Sequence, residues 1–505
     1  MIEVRSARPP GFAALDVEAL HDLLASCFEV SVGRTRVVRR TALDTFDRRL
    51  ERAGRQLQLV AEAGEERLEL MMQGGETLVT VLDGTRPRWP AMADVLPDGM
   101  LKDQVAQLSG IRALLVVGKC RRLVRRTELR NADTKIVVRL DVDEPANGAA
   151  ASLITVRPLR GYQKEAERAW RLVMTLLVPV TDEPVAPRAA GASAADPELP
   201  ARVLLAAELT DFLQEVRDNL PGAIADVDTE FLHDVRVAVR RTRSLIKLGR
   251  PALPAHLREA WEPQFKWLGN LTTPVRDLDV YQLGLPEMTG WLVAASAADL
   301  EPFAAYLARR RTADRRVLAR ALRGARLRRL LDDWAEELSA LADSAHRADD
   351  AIWSAGALAR ANVARAHRRV VHGGTAISDS SPPEALHVLR KRCKELRYAL
   401  EMFAPVLDDA QVGTAIKDLK TLQEVLGRFQ DSEVQRNTLR GFAQEMVADG
   451  TPAEALLAMG ELMGHLHAEQ HRARDEFATA FASYVRPAGR RRMARLLGSG
   501  GKAGG

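Results

Sequence analysis

The sequence predicts two different halves: a mixed α+β region to about residue 178, then an all-helical region made of two similar bundles. Three observations carry this. Short β-branched runs, ALLVVGKCRRLVRR and TKIVVRLDVD, fall in the first half beside helix-like stretches, DVEALHDLLASCF and QKEAERAWRLVMTLL. From about 200 to 486 the strand signals stop, and apolar residues recur at i, i+3, i+4 and i+7 between Pro and Gly breaks. Within that region one pattern occurs twice, 154 residues apart. The expected divisions are 1–178, a Pro/Ala/Ser-rich linker over 179–200, a helical domain over 201–486 with halves at about 201–340 and 350–486, and a basic, flexible tail over 487–505.

Composition narrows the function classes. The 505 residues are 46% hydrophobic and 28% charged, which suits a soluble protein of several domains. Net charge is only +5, and residues 200–490 hold 40 basic and 40 acidic side chains. An anionic partner therefore requires charge gathered into a patch. Aromatic residues, at 5%, are sparse for a module that stacks bases. Cys27, Cys120 and Cys393 are scattered, which argues against a disulfide framework or a zinc site. The start lacks a basic-then-apolar leader pattern, and no apolar run reaches 18 residues. The expectation is a cytoplasmic protein without membrane spans.

The repeated pattern is FLHDVRVAVRRTRS (231–244) and ALHVLRKRCKELRY (385–398). His233, Arg236, Arg240 and Arg243 correspond to His387, Arg390, Lys394 and Arg397. The offset extends to Glu230/Glu384, Lys266/Lys420, Leu268/Leu422 and Asp277/Asp431. Asp228 is a candidate N-cap, and Ser381-Pro-Pro-Glu384 reads as a capping box with proline in the first turn. With His233 at zero, helical geometry puts Arg236, Arg240 and Arg243 at roughly 300°, 340° and 280°. Val235, Val239, Thr242 and Ile246 fall near 180° to 240°, so the basic stripe borders the buried face. Arg241 and Glu395 point elsewhere and read as solvated positions.

Such a stripe has two readings. One is a solvated face laced by i,i+3 and i,i+4 pairs. The other is an anion site, where arginine forks grip phosphate oxygens, lysine adds point charge and histidine adds a donor that charges near neutral pH. Recurrence and a near-absence of acids within the stripe favour the second. LARRRTADRRVLARALRGARLRR (307–329) adds ten arginines, with Arg309, Arg316, Arg320 and Arg323 on one stripe. Arg320 matches Arg474 at the same offset, and His467, His471 and Arg474 share a helical face. The glutamate of HAEQH is misplaced for an HExxH zinc motif.

The two signatures, with KxL…RDLDV (266–280), resemble the CHAD domain family over about residues 200–490. That resemblance implies an all-helical fold of two pseudo-symmetric bundles, binding of inorganic polyphosphate in a basic groove, and no established reaction. The eight paired positions above match the family's histidines and basic residues. The family is similar to proteins found on polyphosphate granules.

CHAD domains often follow a CYTH domain, the triphosphate tunnel fold, an antiparallel barrel. ALDTFDRRLERAGRQLQLV (42–60), LVVGKCRRLVRR and VVRLDVDE resemble its strands over residues 1–178. The family's chemistry implies glutamates holding a divalent metal and basic residues gripping a triphosphate. Here the opening ExExK falls on Met1, Glu3 and Arg5, Gln58 and Val60 stand where arginines are expected, and ITVRPLRGY carries Arg157 and Arg160 in place of acids. A tunnel that has lost its metal ligands is expected, with Glu3, Arg5, Lys119, Arg121 and Arg139 as candidates for its interior.

No GxxxxGK[ST] loop, Ser-His-Asp set or metal cluster is legible. The expectation is a non-enzymatic protein, without cofactor or resident metal, that binds inorganic polyphosphate and associates with its granules. A CYTH-type triphosphate hydrolase served by the helical half, and a nucleic-acid or other polyanion binder, remain as alternatives.

Overall fold

The computed structural model describes residues 5–8, 16–72, 77–82, 87–146, 152–179, 196–345 and 353–498. Two compact units, Met1–Ala190 and Gly191–Gly505, make up the chain. No described helix is long and apolar enough to cross a membrane.

The first unit contains β1 (Arg5–Arg8), α1 (Val17–Ala25), β2 (Glu29–Asp44), α2 (Arg49–Arg52), β3 (Gln56–Glu62), β4 (Glu65–Met71) and β5 (Thr77–Val81). It continues with α3 (Met100–Ser109), β6 (Leu115–Arg130), β7 (Ile136–Pro145), β8 (Leu153–Pro158), α4 (Gln163–Val173) and β9 (Val178–Pro179). All strand pairings are antiparallel, in the order β5-β4-β3-β2-β6-β7-β8-β1-β9. The result is a curled half-barrel, in keeping with the antiparallel CYTH-like fold expected. Among the described residues, β5 and β9 end the sheet without pairing to each other.

Alternation divides this sheet into an apolar and a charged face. Leu43, Leu57, Leu59, Leu68 and Leu70 pack with Leu50 of α2 and with Leu101 and Val105 of α3. Further along, Leu129, Leu140, Val142, Ile154 and Val156 pack with Leu20 and Leu24 of α1 and Ala169 and Val173 of α4. The residues between them, on the opposite face, are largely arginine, aspartate and glutamate.

The second unit has α5 (Ala201–Ala225), α6 (Thr229–Leu248), α7 (Ala255–Thr289), α8 (Glu301–Leu322) and α9 (Ala325–Ala345). The series then repeats as α10 (Ala355–Thr375), α11 (Pro383–Met402), α12 (Asp409–Ala448), α13 (Ala453–Tyr484) and α14 (Pro487–Leu496). The Asp228 carboxylate caps α6, accepting from the Glu230 and Phe231 N–H groups at 2.9 and 3.2 Å. The expected Ser381 capping box does not form. Proline occupies the first turn of α11, so the cap position moves to Pro382, and the Ser381 hydroxyl accepts from the Ser378 N–H instead.

The two halves meet along a shared core. Leu278 and Tyr281 of α7 and Phe303 and Leu307 of α8 pack with Leu439 of α12 and Met459 and Leu462 of α13. The Tyr281 hydroxyl donates to the Gln435 carbonyl at 3.2 Å, and burial pushes that phenol up to about 12. Two boundary expectations need correction. Residues 196–200 belong to the helical unit, where Pro200 bridges Ser354 and the Ala355 N–H donates to the Leu199 carbonyl. The tail is not flexible at its start: residues 487–496 form α14, with Met493 and Leu496 buried and Arg492 paired to Asp418 of α12.

Candidate functional site

The two repeated helices, α6 and α11, pack against one another. Their stripes lie beside α7 and α12, which supply the acidic partners that the stripes themselves lack. The Arg390 guanidinium donates to the Asp431 carboxylate at 2.8 Å. Its counterpart Arg236 lies close enough to Asp277 to favour that carboxylate's charged form, although burial pushes the Asp277 carboxyl up overall. These aspartates were visible in the sequence only as repeat markers, because their role depends on packing between helices.

Arg236 is held from below. Its Nη1 donates to the Gly269 carbonyl at 3.2 Å and to the Thr272 and Thr273 hydroxyls at 3.0 and 2.9 Å. Arg243 lies over α7 at Gly269, its guanidinium within 3.4 Å of where a β-carbon would stand, so a side chain there would crowd it. His233 is half-buried, and burial, then the Arg276 guanidinium, hold its imidazole below the usual range. Arg276 lies outside both repeated stripes. It donates to the Thr229 carbonyl and lies 3.5 Å from Glu230, at the start of α6. On the second helix His387 is bonded through Nδ1 to the Gln430 side chain.

Arg240 and Lys394 are exposed, and neither makes a hydrogen bond or ion pair among the described residues. Partial desolvation of the ammonium at the end of this otherwise exposed side chain, then the guanidinium groups of Arg390, Arg240 and Arg397, hold Lys394 below the usual lysine range, against the pull of Asp431. A residue of the first half thus lies within electrostatic reach of the second half's stripe. Glu395, expected to be solvated, bridges the halves instead, pairing with Lys247 of α6 and with Arg369 of α10 at 2.7 Å.

Other candidates lie apart from this arrangement or, like Arg397, are held by their own acidic partner. Lys266 is exposed on α7. Lys420 pairs with Glu424 at 3.6 Å, and Arg397 with Glu401 at 2.6 Å. Arg474 caps the chain before α11, donating to the Asp379 carbonyl at 2.7 Å, which is a structural duty. His467 bonds Arg436 at 2.7 Å and stands 4.4 Å from the His471 ring on α13. Arg309 is exposed on α8, while Arg316, Arg320 and Arg323 line a separate cleft at its end.

On the charged face of the sheet, the buried carboxylates Asp141 and Asp143 of β7 each hold two arginines. Asp143 binds Arg40 at 2.7 Å and Arg122 at 2.5 Å, and Asp141 binds Arg126 at 2.7 Å and Arg157 at 3.3 Å. The divalent metal that the tunnel resemblance implies does not fit this donor set, since the acids are already neutralised by guanidinium groups. Among the described residues no group of three or more His, Cys, Asp or Glu is placed to hold a metal ion. Arg139 shares this face, 3.8 Å from Glu128. Lys119 and Arg121 do not. They pair across from Thr41 and Arg39, one residue out of phase with Arg40 and Arg122, so they emerge on the opposite face. Glu3 lies outside the described residues, and of Arg5 only its pairing with Val156 is described.

A duplicated helical domain with paired His/Arg/Lys helices, following a curled antiparallel sheet, is the class that fold and site define. Residues 207–440 match the family model for the CHAD domain, and the helical unit carries a CHAD domain. An uncharacterized protein of Mycobacterium tuberculosis (strain CDC 1551 / Oshkosh) is 31% identical over 237 residues, 46% of this chain and 43% of that protein. The chain thus matches less than half the length of that curated relative. The crystal structure of the CHAD domain from the plant Ricinus communis is similar at 26% identity and TM-score 0.47, covering 58% of this chain and 95% of that one. A structure from Bacillus halodurans, proposed to be an adenylate cyclase, is similar at 15% identity and TM-score 0.27, covering 36% and 95%.

Proposed function

We propose that this protein binds inorganic polyphosphate, without turning it over, in a basic groove along α6 and α11. One observation supports the reading: Arg240 of the first half lies within electrostatic reach of Lys394 of the second, and among the described residues neither makes an ion pair, Asp431 acting on Lys394 only from a distance. Like charges brought together destabilise a fold unless an anion relieves them. Around them, Arg390 and Arg236 are oriented by Asp431 and by α7, so their guanidinium groups are held in place before any ligand arrives. Preorganised donors suit a repeating chain of phosphates. Association with polyphosphate granules follows if the chains bound are long.

The test is direct binding of long polyphosphate to the full chain, competed with duplex DNA at matched phosphate and salt. Arg240→Ala with Lys394→Ala is expected to weaken polyphosphate binding at least about tenfold, two charge-assisted hydrogen bonds being lost. Arg241→Ala is the control. Arg241 sits 3.8 Å from Glu215 and over the Phe212 ring, away from the groove, and its loss should change little. Equal competition by DNA, or equal loss in the control, would make this a general charge effect and end the proposal.

A further inference from the structure

We propose a second anion site in the helical unit, in a cleft of about 490 Å³ between the end of α5 and the end of α8, taking a short phosphoanion such as tripolyphosphate. None of its lining residues belongs to α6 or α11, so it stands independently of the groove reading.

Four arginines line the cleft. Arg316, Arg320 and Arg323 are exposed and make no hydrogen bond or ion pair among the described residues. The fourth, Arg315, is only 8% exposed. It donates to the Ala223 carbonyl and pairs through Nε with Asp226 at 3.1 Å, but its Nη1 is buried without a partner. A buried charged donor lacking an acceptor is unusual and costly. That Nη1 has no accessible surface, so Arg315 serves the cleft through its positive charge and by holding Asp226. Asp226, which also lines the cleft, is held by Arg311 at 2.8 Å besides Arg315, so it offers little opposing charge. Gly324 at the rim directly precedes the 21-residue helix α9, and a helix N-terminus favours anions. An adjoining space of about 430 Å³ shares Ile224, Arg323 and Gly324 and adds Arg217 and Arg328. The trough therefore has room for more than one phosphate group.

The duplication supplies an internal control. Four buried positions of α8, Phe303, Leu307, Leu318 and Leu322, recur in α13 as Ala458, Leu462, Ala473 and Phe477, while the buried Tyr306 falls on Glu461, which is only partly buried. That is a shift of 155, one residue from the offset that relates α6 to α11. In this register Arg315 corresponds to Gln470, also 8% exposed, and Arg316, Arg320 and Arg323 to His471, Asp475 and Ala478. The second half builds the same helix without the arginines. The fold does not require them, and their mutual repulsion is tolerated in one half alone.

Calorimetric titration of the full chain with tripolyphosphate at low salt tests this, comparing wild type, Arg240→Ala/Lys394→Ala, and Arg316→Ala/Arg320→Ala/Arg323→Ala. The cleft variant should lose one binding event or weaken it at least about tenfold, while the groove variant keeps it. The three exposed side chains are not part of the core, so the melting temperature should be unchanged. Arg315→Gln, which copies the other half, should weaken the same event. Adenosine triphosphate in place of tripolyphosphate distinguishes an esterified from an inorganic chain, and tight binding of either supports the site. A cleft variant that titrates like wild type, loss confined to the groove variant, or equal displacement by sulfate at the same charge concentration would overturn the proposal.

Discussion

Arg236 and Arg240 lie one turn apart on α6, yet the structure gives them different work. Arg236 fixes α6 to α7 through three acceptors on Nη1, so Arg236→Ala should lower stability as well as affinity by removing these links between the helices, although both threonine hydroxyls keep their bonds to α7 carbonyls. Arg240 carries no such duty, which makes it the cleaner probe of binding. His233 gives a pH prediction whose sign follows from its surroundings. Burial and Arg276 hold its free-state pKa below the ordinary value of about 6.5. A bound phosphate nearby favours the charged imidazolium and raises that pKa. Protons are therefore taken up on binding, and affinity should rise as pH falls, the gain extending below the ordinary histidine range. Polyphosphate affinity measured from pH 7.5 down to 5.5 should show this rise in wild type and not in His233→Gln. Parallel profiles for the two proteins would remove His233 from the site.

At the level of elements, α14 shows how a short basic segment can become structure. Met493 and Leu496 are buried, and Arg486 and Arg492 converge on Asp418 of α12. Ending the chain at Val485 should cost roughly 2 to 4 kcal/mol in denaturant unfolding, mainly from the exposed apolar surface. An unchanged midpoint would show that α14 contributes nothing. The helix is unreadable in the sequence because RPAGRRRMARLLGSGG holds only a few apolar residues, and the acidic partner of its arginines, Asp418, lies some seventy positions earlier. The faces of β6 were hidden for another reason. GKCRRLVRR places basic residues at both parities, and a one-residue change of register exchanges the faces. Which of Lys119, Arg121, Arg122 and Arg126 share the charged face is set only by the pairing of β6 to β2 and β7. By contrast, α6 and α11 were legible, since a duplicated pattern at a fixed offset carries its own phase. The charged face that β6 and β7 do form yields a further expectation. With Asp141 and Asp143 each bound to two arginines, the full chain should not hydrolyse tripolyphosphate above background with Mg²⁺ or Mn²⁺. Metal-stimulated phosphate release abolished by Asp143→Ala would show that these acids can be freed for a metal.

Across the whole helical unit, the proposed groove would use the duplication to join two modest sites into one extended site. A chain long enough to touch α6 and α11 binds its second contact intramolecularly, so length should raise affinity beyond what added charge alone provides. The groove reading then makes a quantitative statement about salt. Each phosphate neutralised by lysine or arginine releases counterions, with a log–log slope of about 0.7 to 0.9 per contact on nucleic acids. Wild type should show a steep slope with long polyphosphate and a shallower one with tripolyphosphate, which reaches fewer cations. Arg240→Ala with Lys394→Ala should reduce the long-chain slope by about 1.4 to 1.8, two contacts' worth. Arg241→Ala should leave it unchanged, because Arg241 faces Glu215 and Phe212. The measurement is the affinity of the full chain at four or five salt concentrations for each variant. A slope unaltered by the double substitution would mean that Arg240 and Lys394 do not meet phosphate, and that the two halves do not share a ligand along α6 and α11.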